Sequence, residues 1–303
     1  MKKLLMFGLM SLLFFFNIYG NSADSTFVTL DNLFFGSDST FEVMTWNLQN
    51  FPKNKETTVD YVAKVIYYLD VDIVGFQEIQ SDSSFTVLIE KLNQIDSVNV
   101  WDGYRANTDE WEMNLAYLYK KVDDIAVGKI YEIYTDDQYA FPRHPLVMEL
   151  LYEKTPILII NNHLKAMGGE KNEARRRDAN KKLKRFVDEN HSNSEVIILG
   201  DLNDNIAEPE KQNVFWNFIG DSDNYTFADM EIAADTTSDW SYPYWPSHLD
   251  HILITNELFD ELENEGSTIK TITIDKYLEG NWDAYYKNIS DHRPVAIKLR
   301  FAE

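Results

Sequence analysis

The chain has 303 residues, with 28 Lys and Arg against 50 Asp and Glu, for a formal net charge of −22. That balance argues against a broad basic surface for nucleic acid or anionic lipid, and 44% hydrophobic with 14% aromatic residues excludes global disorder. Cysteine is absent, which removes disulfide scaffolds, thiolate zinc, thiol nucleophiles and lipidation on an N-terminal cysteine, so any metal must sit on oxygen or imidazole.

Lys2 and Lys3 precede an apolar run from Leu4 to Phe16 and the small residue Gly20. This order predicts a secretory signal peptide over 1–20, and hence a secreted or periplasmic protein; the run is short for a bilayer span of about 20 residues. Residues 21–38 read as a linker and 39–303 as one domain, because short apolar runs alternate with helical periodicity, as in an α/β fold. Val59, Val62, Ile66 and Leu69 share one helix face, with Thr57 or Thr58 as its expected cap, and Ala179, Leu183, Phe186 and Val187 share another. Buried strands are expected over 43–48, 72–76, 115–119, 146–151, 157–160, 196–199, 249–255 and 295–301.

Several of these apolar runs end at polar groups that a buried strand would not choose without a reason. Trp46 is followed by Asn47, Gln77 by Glu78, Ile160 by Asn161-Asn162-His163, and Gly200 by Asp201-Leu-Asn203-Asp204. Asp250 and His251 lie inside the run 248–254, and Ser290-Asp-His-Arg-Pro294 precedes the last one. Taken singly, each has a structural explanation as a turn, a satisfied histidine or a surface carboxylate. Strand ends of an α/β sandwich converge on one edge where ligands bind, and there the oxygens suit a hard divalent cation while the histidines supply acid and base.

Six motifs stand in order: Thr45-Trp-Asn47, Gly75-Phe-Gln-Glu78, Asn162-His163, Gly200-Asp-Leu-Asn203, Leu249-Asp250-His-Ile and Ser290-Asp-His-Arg-Pro-Val295. Through them the sequence, from about residue 40 to its end, resembles the endonuclease/exonuclease/phosphatase superfamily of pancreatic-type deoxyribonucleases, abasic-site endonucleases, bacterial sphingomyelinases and inositol-polyphosphate phosphatases. The resemblance implies a four-layer α/β sandwich, two packed mixed β-sheets flanked by helices. It implies Glu78 as the principal metal carboxylate, joined by Asn47 and Asp291, with Mg²⁺ as the ion and Mn²⁺ or Ca²⁺ as alternatives. Asp250 and His292 match the buried Asp–His pair, Asp201 the residue that positions or deprotonates water, Asn203 the amide on the scissile phosphate, and His163 a donor to a phosphoryl oxygen or leaving group. The implied activity is that of a secreted metal-dependent phosphodiesterase, a monomeric nuclease acting on DNA or RNA by in-line attack of water.

Departures narrow the branch. Duplex-cutting members often carry Arg or Lys where this chain has Gln80, and abasic-site enzymes often carry an acid where it has Gln49. Inositol phosphatases usually show Trp-Cys-Asp-Arg where it has His248-Leu-Asp-His251. A sphingomyelinase-like activity on membrane lipid is the leading alternative, with Trp240-Ser-Tyr-Pro-Tyr-Trp245 as a membrane hairpin; the reading adopted for that stretch is an aromatic loop at the active-site rim. A non-catalytic extracellular binding protein would be expected to lack some of Glu78, His163, Asp201 and His292, and a glycosidase built on Glu78 and Asp201 would not need the histidines. Between Lys165 and Arg185 nine Lys and Arg face three acids, a local +6 that begins two residues after His163. Such a helix is often only a solvated face. Its position nevertheless nominates Lys165 and Arg175, with Arg143, as substrate-binding residues, and the overall charge predicts that nucleic acid is held weakly.

Overall fold

The computed structural model describes residues 30–107, 113–235 and 237–302. In chain order the strands are β1 (Phe41–Phe51), β2 (Ile73–Ile79), β3 (Val100–Arg105), β4 (Asn114–Lys121), β5 (Ile125–Glu132), β6 (Leu146–Tyr152), β7 (Thr155–His163), β8 (Glu195–Asp201), β9 (Tyr225–Phe227), β10 (Asp250–Thr255), β11 (Thr268–Thr271) and β12 (Val295–Leu299). They form two six-stranded mixed sheets, ordered β11-β12-β1-β2-β4-β3 and β5-β6-β7-β8-β10-β9. The long helices are α1 (Lys55–Leu69), α2 (Asp82–Ile95) and α3 (Glu170–Asn190). None of the described helices is long and apolar enough to cross a membrane.

Period-two alternation sorts each strand's side chains into a sheet-facing and a helix-facing row. Phe41 and Val43 of β1, Ile159 of β7, Ile197 and Leu199 of β8, Ile252 and Ile254 of β10, and Val295 and Ile297 of β12 fill the core between the sheets. Their neighbours Met44, Trp46 and Leu48 pack with Val62, Ile66 and Leu69 of α1, while Leu158, Ile160, Val196 and Ile198 pack with Ala179, Leu183 and Val187 of α3. Two sheets covered on both outer faces make the four-layer α/β sandwich anticipated above. Gly75 lets the sheets approach: a Cβ there would lie 2.6 Å from Leu199 and 3.3 Å from Asn161.

Two boundaries differ from expectation. The signal peptide expected over 1–20 lies outside the described residues. Of the expected linker, however, Leu30, Leu33 and Phe35 are buried in the core against α1, so the packed domain reaches back at least to Leu30. The first turn of α1 is not capped by Thr57 or Thr58: Asn54 precedes the helix, and Thr58 Oγ1 accepts from the Asn54 N–H at 2.7 Å and donates to Asn288 O at 2.7 Å.

At the end of the sandwich away from the motif residues, Glu42 is 1% exposed and its main-chain N–H donates to Asp72 Oδ2 at 3.0 Å. Thr40 Oγ1 and the Ser37 N–H donate to its carboxyl, and Asp72 in turn meets Lys120 Nζ at 3.2 Å. Burial first, and the Asp72 charge second, raise Glu42 to about 9, so it keeps its proton at neutral pH. The unfolded chain ionises there from about pH 4.5, and stability therefore falls as pH rises from about 4.5 to about 9. Glu42→Gln keeps a donor and an acceptor, and should stabilise the fold by about 1–3 kcal/mol at pH 8 and by little at pH 4.5. Urea unfolding at the two pH values checks this; an equal effect at both would rule out the neutral carboxyl.

Candidate active site

The row of inward-facing side chains does not stop where the apolar core stops. Beyond Val43 of β1 come Thr45 and Asn47, beyond Ile159 of β7 come Asn161 and His163, and beyond Leu199 of β8 comes Asp201. Asp250 begins the inward row of β10, whose register sets it opposite Asp201. The site is thus the polar continuation of the inter-sheet core at one edge of the sandwich.

Alternation alone would send Glu78 the other way, to the helix side with Phe76. A break in the β2–β4 register between Phe76 and Ile79, and a left-handed φ of 62° at Glu78, re-aim it. Its Oε1 accepts from Asn47 Nδ2 at 3.2 Å, and its Oε2 from the Asn50 N–H at 2.9 Å. The end of β1 is broken in the same way, with Gln49 at φ 42° and Asn50 at φ 58°. Non-glycine residues at positive φ cost free energy, and their concentration here is what a site over-determined by its surroundings shows.

The catalytic candidates lie within reach of one another. His292 Nδ1 meets Asp250 Oδ2 at 2.7 Å, which puts the proton on Nδ1 and leaves Nε2 3.9 Å from Asp201 Oδ2 and 4.0 Å from Asp291 Oδ1. His163 Nε2 lies 3.4 Å from Asp201 Oδ2 and 3.9 Å from Glu78 Oε1. Asn47 Nδ2 also donates to Asp201 Oδ2 at 2.9 Å. Asn203, at φ 56°, donates its N–H to Asp201 Oδ1 at 3.1 Å and its amide to Leu164 O at 3.3 Å. The loop carrying His292 is fixed by Ser290, whose hydroxyl donates to Asn47 O at 2.6 Å and accepts the His292 N–H at 3.0 Å.

Burial would lower His292, but Asp250, Asp201 and Asp291 outweigh it and raise the imidazole to about 10. Burial lifts Asp201 to about 7, helped by Asp250 and Glu78 and opposed by His292 and Asn47. Burial likewise raises Asp291. His163 is pushed well down by burial, then by Arg143, His292 and Lys165, and is neutral. His163 Nδ1, Asn162 Oδ1 and Asp250 Oδ1 are buried without a hydrogen-bond partner among the described residues. Four carboxylates, Glu78, Asp201, Asp250 and Asp291, thus lie around the two histidines, and burial resists the charge of Asp201 and Asp291. Glu78, Asp291 and Asn47, the ligands that the resemblance implies, would offer oxygen alone, which suits a hard divalent cation, although Asn47 Oδ1 here accepts the Gln49 N–H at 2.9 Å.

The substrate-binding candidates fare differently. Arg143 donates to Leu164 O at 2.7 Å, beside His163, and the Lys165 ammonium is lowered first by burial and then by Arg175, Arg143 and Arg176, so these cations form one positive corner. Arg175 spends its guanidinium on Tyr139 O at 2.6 Å and Gln138 O at 2.9 Å. Most of the remaining +6 segment is neutralised locally. Arg176 is 2% exposed and pairs with Asp204 at 2.8 Å, Lys182 pairs with Asp178 and Asp137, and Lys184 pairs with Asp188 and Asp221. Helix α3 is therefore no continuous phosphate track.

Residues that the sequence did not nominate brace the site. Gln49 bridges to Asp291 through a 2.6 Å bond from Nε2, and Arg176 donates to Lys165 O and Met167 O at 2.6 and 2.9 Å. Asp229 holds His248 and His251 behind β10. Tyr242 lays its ring 4.8 Å from that of His292. Only the aromatic stretch gave a hint in advance, since Gln49, Arg176 and Asp229 look like any polar residues.

A profile of the Endonuclease/Exonuclease/phosphatase family matches residues 44–292. No curated protein matches the sequence at a significant level. Among solved structures, a humanised TDP2 of D. rerio superposes at a TM-score of 0.63 with 13% identity, over 87% of this chain and 100% of the other. D. rerio TDP2 complexed with single strand DNA product gives 0.62 and 12% over 87% and 100%, and the Bacteroides thetaiotaomicron mannosyl-6-phosphatase gives 0.59 and 14% over 86% and 100%. At such identities the likeness is one of fold, and the profile, spanning every motif residue from Asn47 to His292, decides the family. The chain belongs to the endonuclease/exonuclease/phosphatase family, whose members hydrolyse phosphoester bonds.

Proposed function

We propose that the protein is a secreted or periplasmic, Mg²⁺-dependent phosphodiesterase whose substrate is nucleic acid. One observation carries the reading: Glu78, His163, Asp201 and the Asp250–His292 pair, set on five separate segments, meet at a single edge of the sandwich. Asp201 takes the proton of the attacking water. His292, held by Asp250 with its Nε2 toward that space, and His163 donate hydrogen bonds to phosphoryl oxygens. Asn203 positions the phosphate. Glu78, Asn47 and Asp291 hold the ion, which when bound supplies Lewis-acid neutralisation of the phosphoryl charge. Arg143 and Lys165 favour an anion beside His163, and Arg175 joins them as a more distant cation. The single-strand DNA product in the D. rerio TDP2 structure supports a nucleic acid as substrate, although the mannosyl-6-phosphatase shows that the fold also serves phosphomonoesters. With a net charge of −22, the chain is expected to act as a monomer that holds nucleic acid weakly and releases it quickly.

The test offers purified protein plasmid DNA, single-stranded DNA, RNA, sphingomyelin and a phosphomonoester, each with Mg²⁺, Mn²⁺, Ca²⁺ or EDTA. Digestion of nucleic acid that needs Mg²⁺ and ceases in EDTA is the expected result. Activity that persists in EDTA overturns the metal, and cleavage of sphingomyelin or the monoester alone overturns the substrate.

A further inference from the structure

A short hairpin rises beside His292 and presents aromatic rings that the reaction does not need. Tyr242 and Ser247 close it with reciprocal main-chain bonds of 3.0 and 3.1 Å, and between them Tyr244 and Trp245 are 63% and 75% exposed. The rings are not scattered. Tyr242 sits 4.8 Å from the His292 ring, and its hydroxyl is raised first by burial and then by Asp291, Tyr286, Asp201 and Tyr244. Tyr244 stacks on Tyr286 of the helix Asn281–Asn288, with centroids 5.3 Å apart and planes at 9°. Lys53 Nζ lies 4.0 Å from the centre of the Tyr286 ring and bonds Gln49, which bonds Asp291. Tyr242 at the base of the hairpin therefore lies against the catalytic histidine, and the Tyr244–Tyr286 stack with one cation stands at its tip beside the exposed Trp245.

We propose that Tyr244, backed by Tyr286 and Lys53, and the exposed Trp245 next to it in the hairpin form a stacking subsite for the nucleobase next to the scissile phosphate, so that the preferred substrate is single-stranded. The proposal rests on the nucleic-acid reading above and names the form of that substrate. Three observations favour a base as the occupant. The hairpin begins beside His292, the group proposed to bond the phosphate, so a base next to that phosphate comes within reach of its rings. Aromatic rings with a neighbouring cation make a sequence-tolerant platform for unpaired bases, whose π-faces a duplex keeps stacked on each other. A neutral base also tolerates an acidic surface, which disfavours anionic lipid head groups, while the phosphatidylcholine vesicles in the test below stand for zwitterionic lipid.

Two measurements test it. In EDTA, without turnover, a single-stranded thymidine oligonucleotide should quench part of the tryptophan fluorescence, and Trp245→Phe should remove that part while oligonucleotide still binds. In Mg²⁺, a base-bearing strand should show a KM about tenfold below that of an abasic strand of equal length, and Tyr244→Ala and Trp245→Ala should bring that ratio close to one. Both substitutions are at exposed positions outside the core. A ratio that survives both variants, or quenching that appears with phosphatidylcholine vesicles and not with the oligonucleotide, overturns the subsite. Quenching by an oligonucleotide that is never cleaved would overturn the proposed activity and leave the subsite standing, and cleavage without quenching or base preference would do the reverse.

Discussion

His292→Ala should lower kcat/KM on nucleic acid by at least about a thousandfold, and Asp250→Asn should come close to matching it. The reason is that the two side chains act as one device. Asp250 Oδ2 holds Nδ1 at 2.7 Å, and this fixes both the tautomer and the aim of Nε2 toward Asp201. An amide at position 250 can offer its N–H to Nδ1, which moves the proton to Nε2 and removes the charge that stabilises the imidazolium. Neither variant should unfold the protein. The His292 main-chain carbonyl keeps its bonds from Trp46 Nε1 at 3.3 Å and from the Tyr285 hydroxyl whatever the side chain, and Ser290 still ties the loop to β1. Because the pair is a unit, the double variant should be scarcely slower than His292→Ala alone. Steady-state kinetics with circular dichroism on the three proteins decide the matter. Losses that multiply would mean that Asp250 and His292 work separately, and the roles proposed for them would fall.

The parts of the fold legible in the sequence are those under the strongest packing constraint. The strands expected from apolar runs are the inner strands of the two sheets. The four that were not anticipated, β3, β5, β9 and β11, are the four sheet edges. An edge strand is paired on one side and often half exposed, as β5 is beyond Ile125, so its pattern carries little apolar signal. The site divides along the same line. Asn47, His163, Asp201 and Asp250 could be placed because they extend inward-facing rows whose register the core fixes. Glu78 stands on the wrong side by alternation, and only the family resemblance assigned it, since a break in register is set by neighbours rather than by its own residue type. The basic run after His163 misled for the opposite reason. Charge along a sequence does not show its partners, and Asp137, Asp204 and Asp221, distant in the chain, meet Lys182, Arg176 and Lys184 in the fold.

Asp229→Ala should be the most destabilising single change behind the site, at about 3–5 kcal/mol, because it strands a buried positive charge. Asp229, His248 and His251 are all 0% exposed. His248 Nδ1 accepts the Ser241 N–H at 3.1 Å, so its proton is on Nε2 and goes to Asp229 Oδ2 at 2.9 Å. His251 has no such acceptor role: Nε2 faces Asp204 O at 2.9 Å and Nδ1 faces Asp229 Oδ2 at 2.6 Å, so both nitrogens carry protons and the ring is an imidazolium. Burial would lower His251, but Asp229 more than offsets it, and burial would raise Asp229, but the His251 charge and the histidine bonds hold it well below the usual carboxylate range. The depressed carboxyl contributes stability above its unfolded pKa of about 4, a contribution lost as pH falls through the folded value. The raised imidazole contributes fully below its unfolded pKa of about 6.5, and that share is lost as pH rises through its folded value. The ion pair therefore counts in full between about pH 4 and 6.5, and Asp229→Ala should cost more at pH 6 than at pH 9 when urea unfolding is compared with the wild type. Activity should suffer along with stability, since His251 grips the Asp204 carbonyl and Asp204 holds Arg176, which clamps the 165–167 loop after His163. A cost below about 1 kcal/mol, or one that does not change with pH, would show that His251 is neutral and that the triad is packing rather than charge.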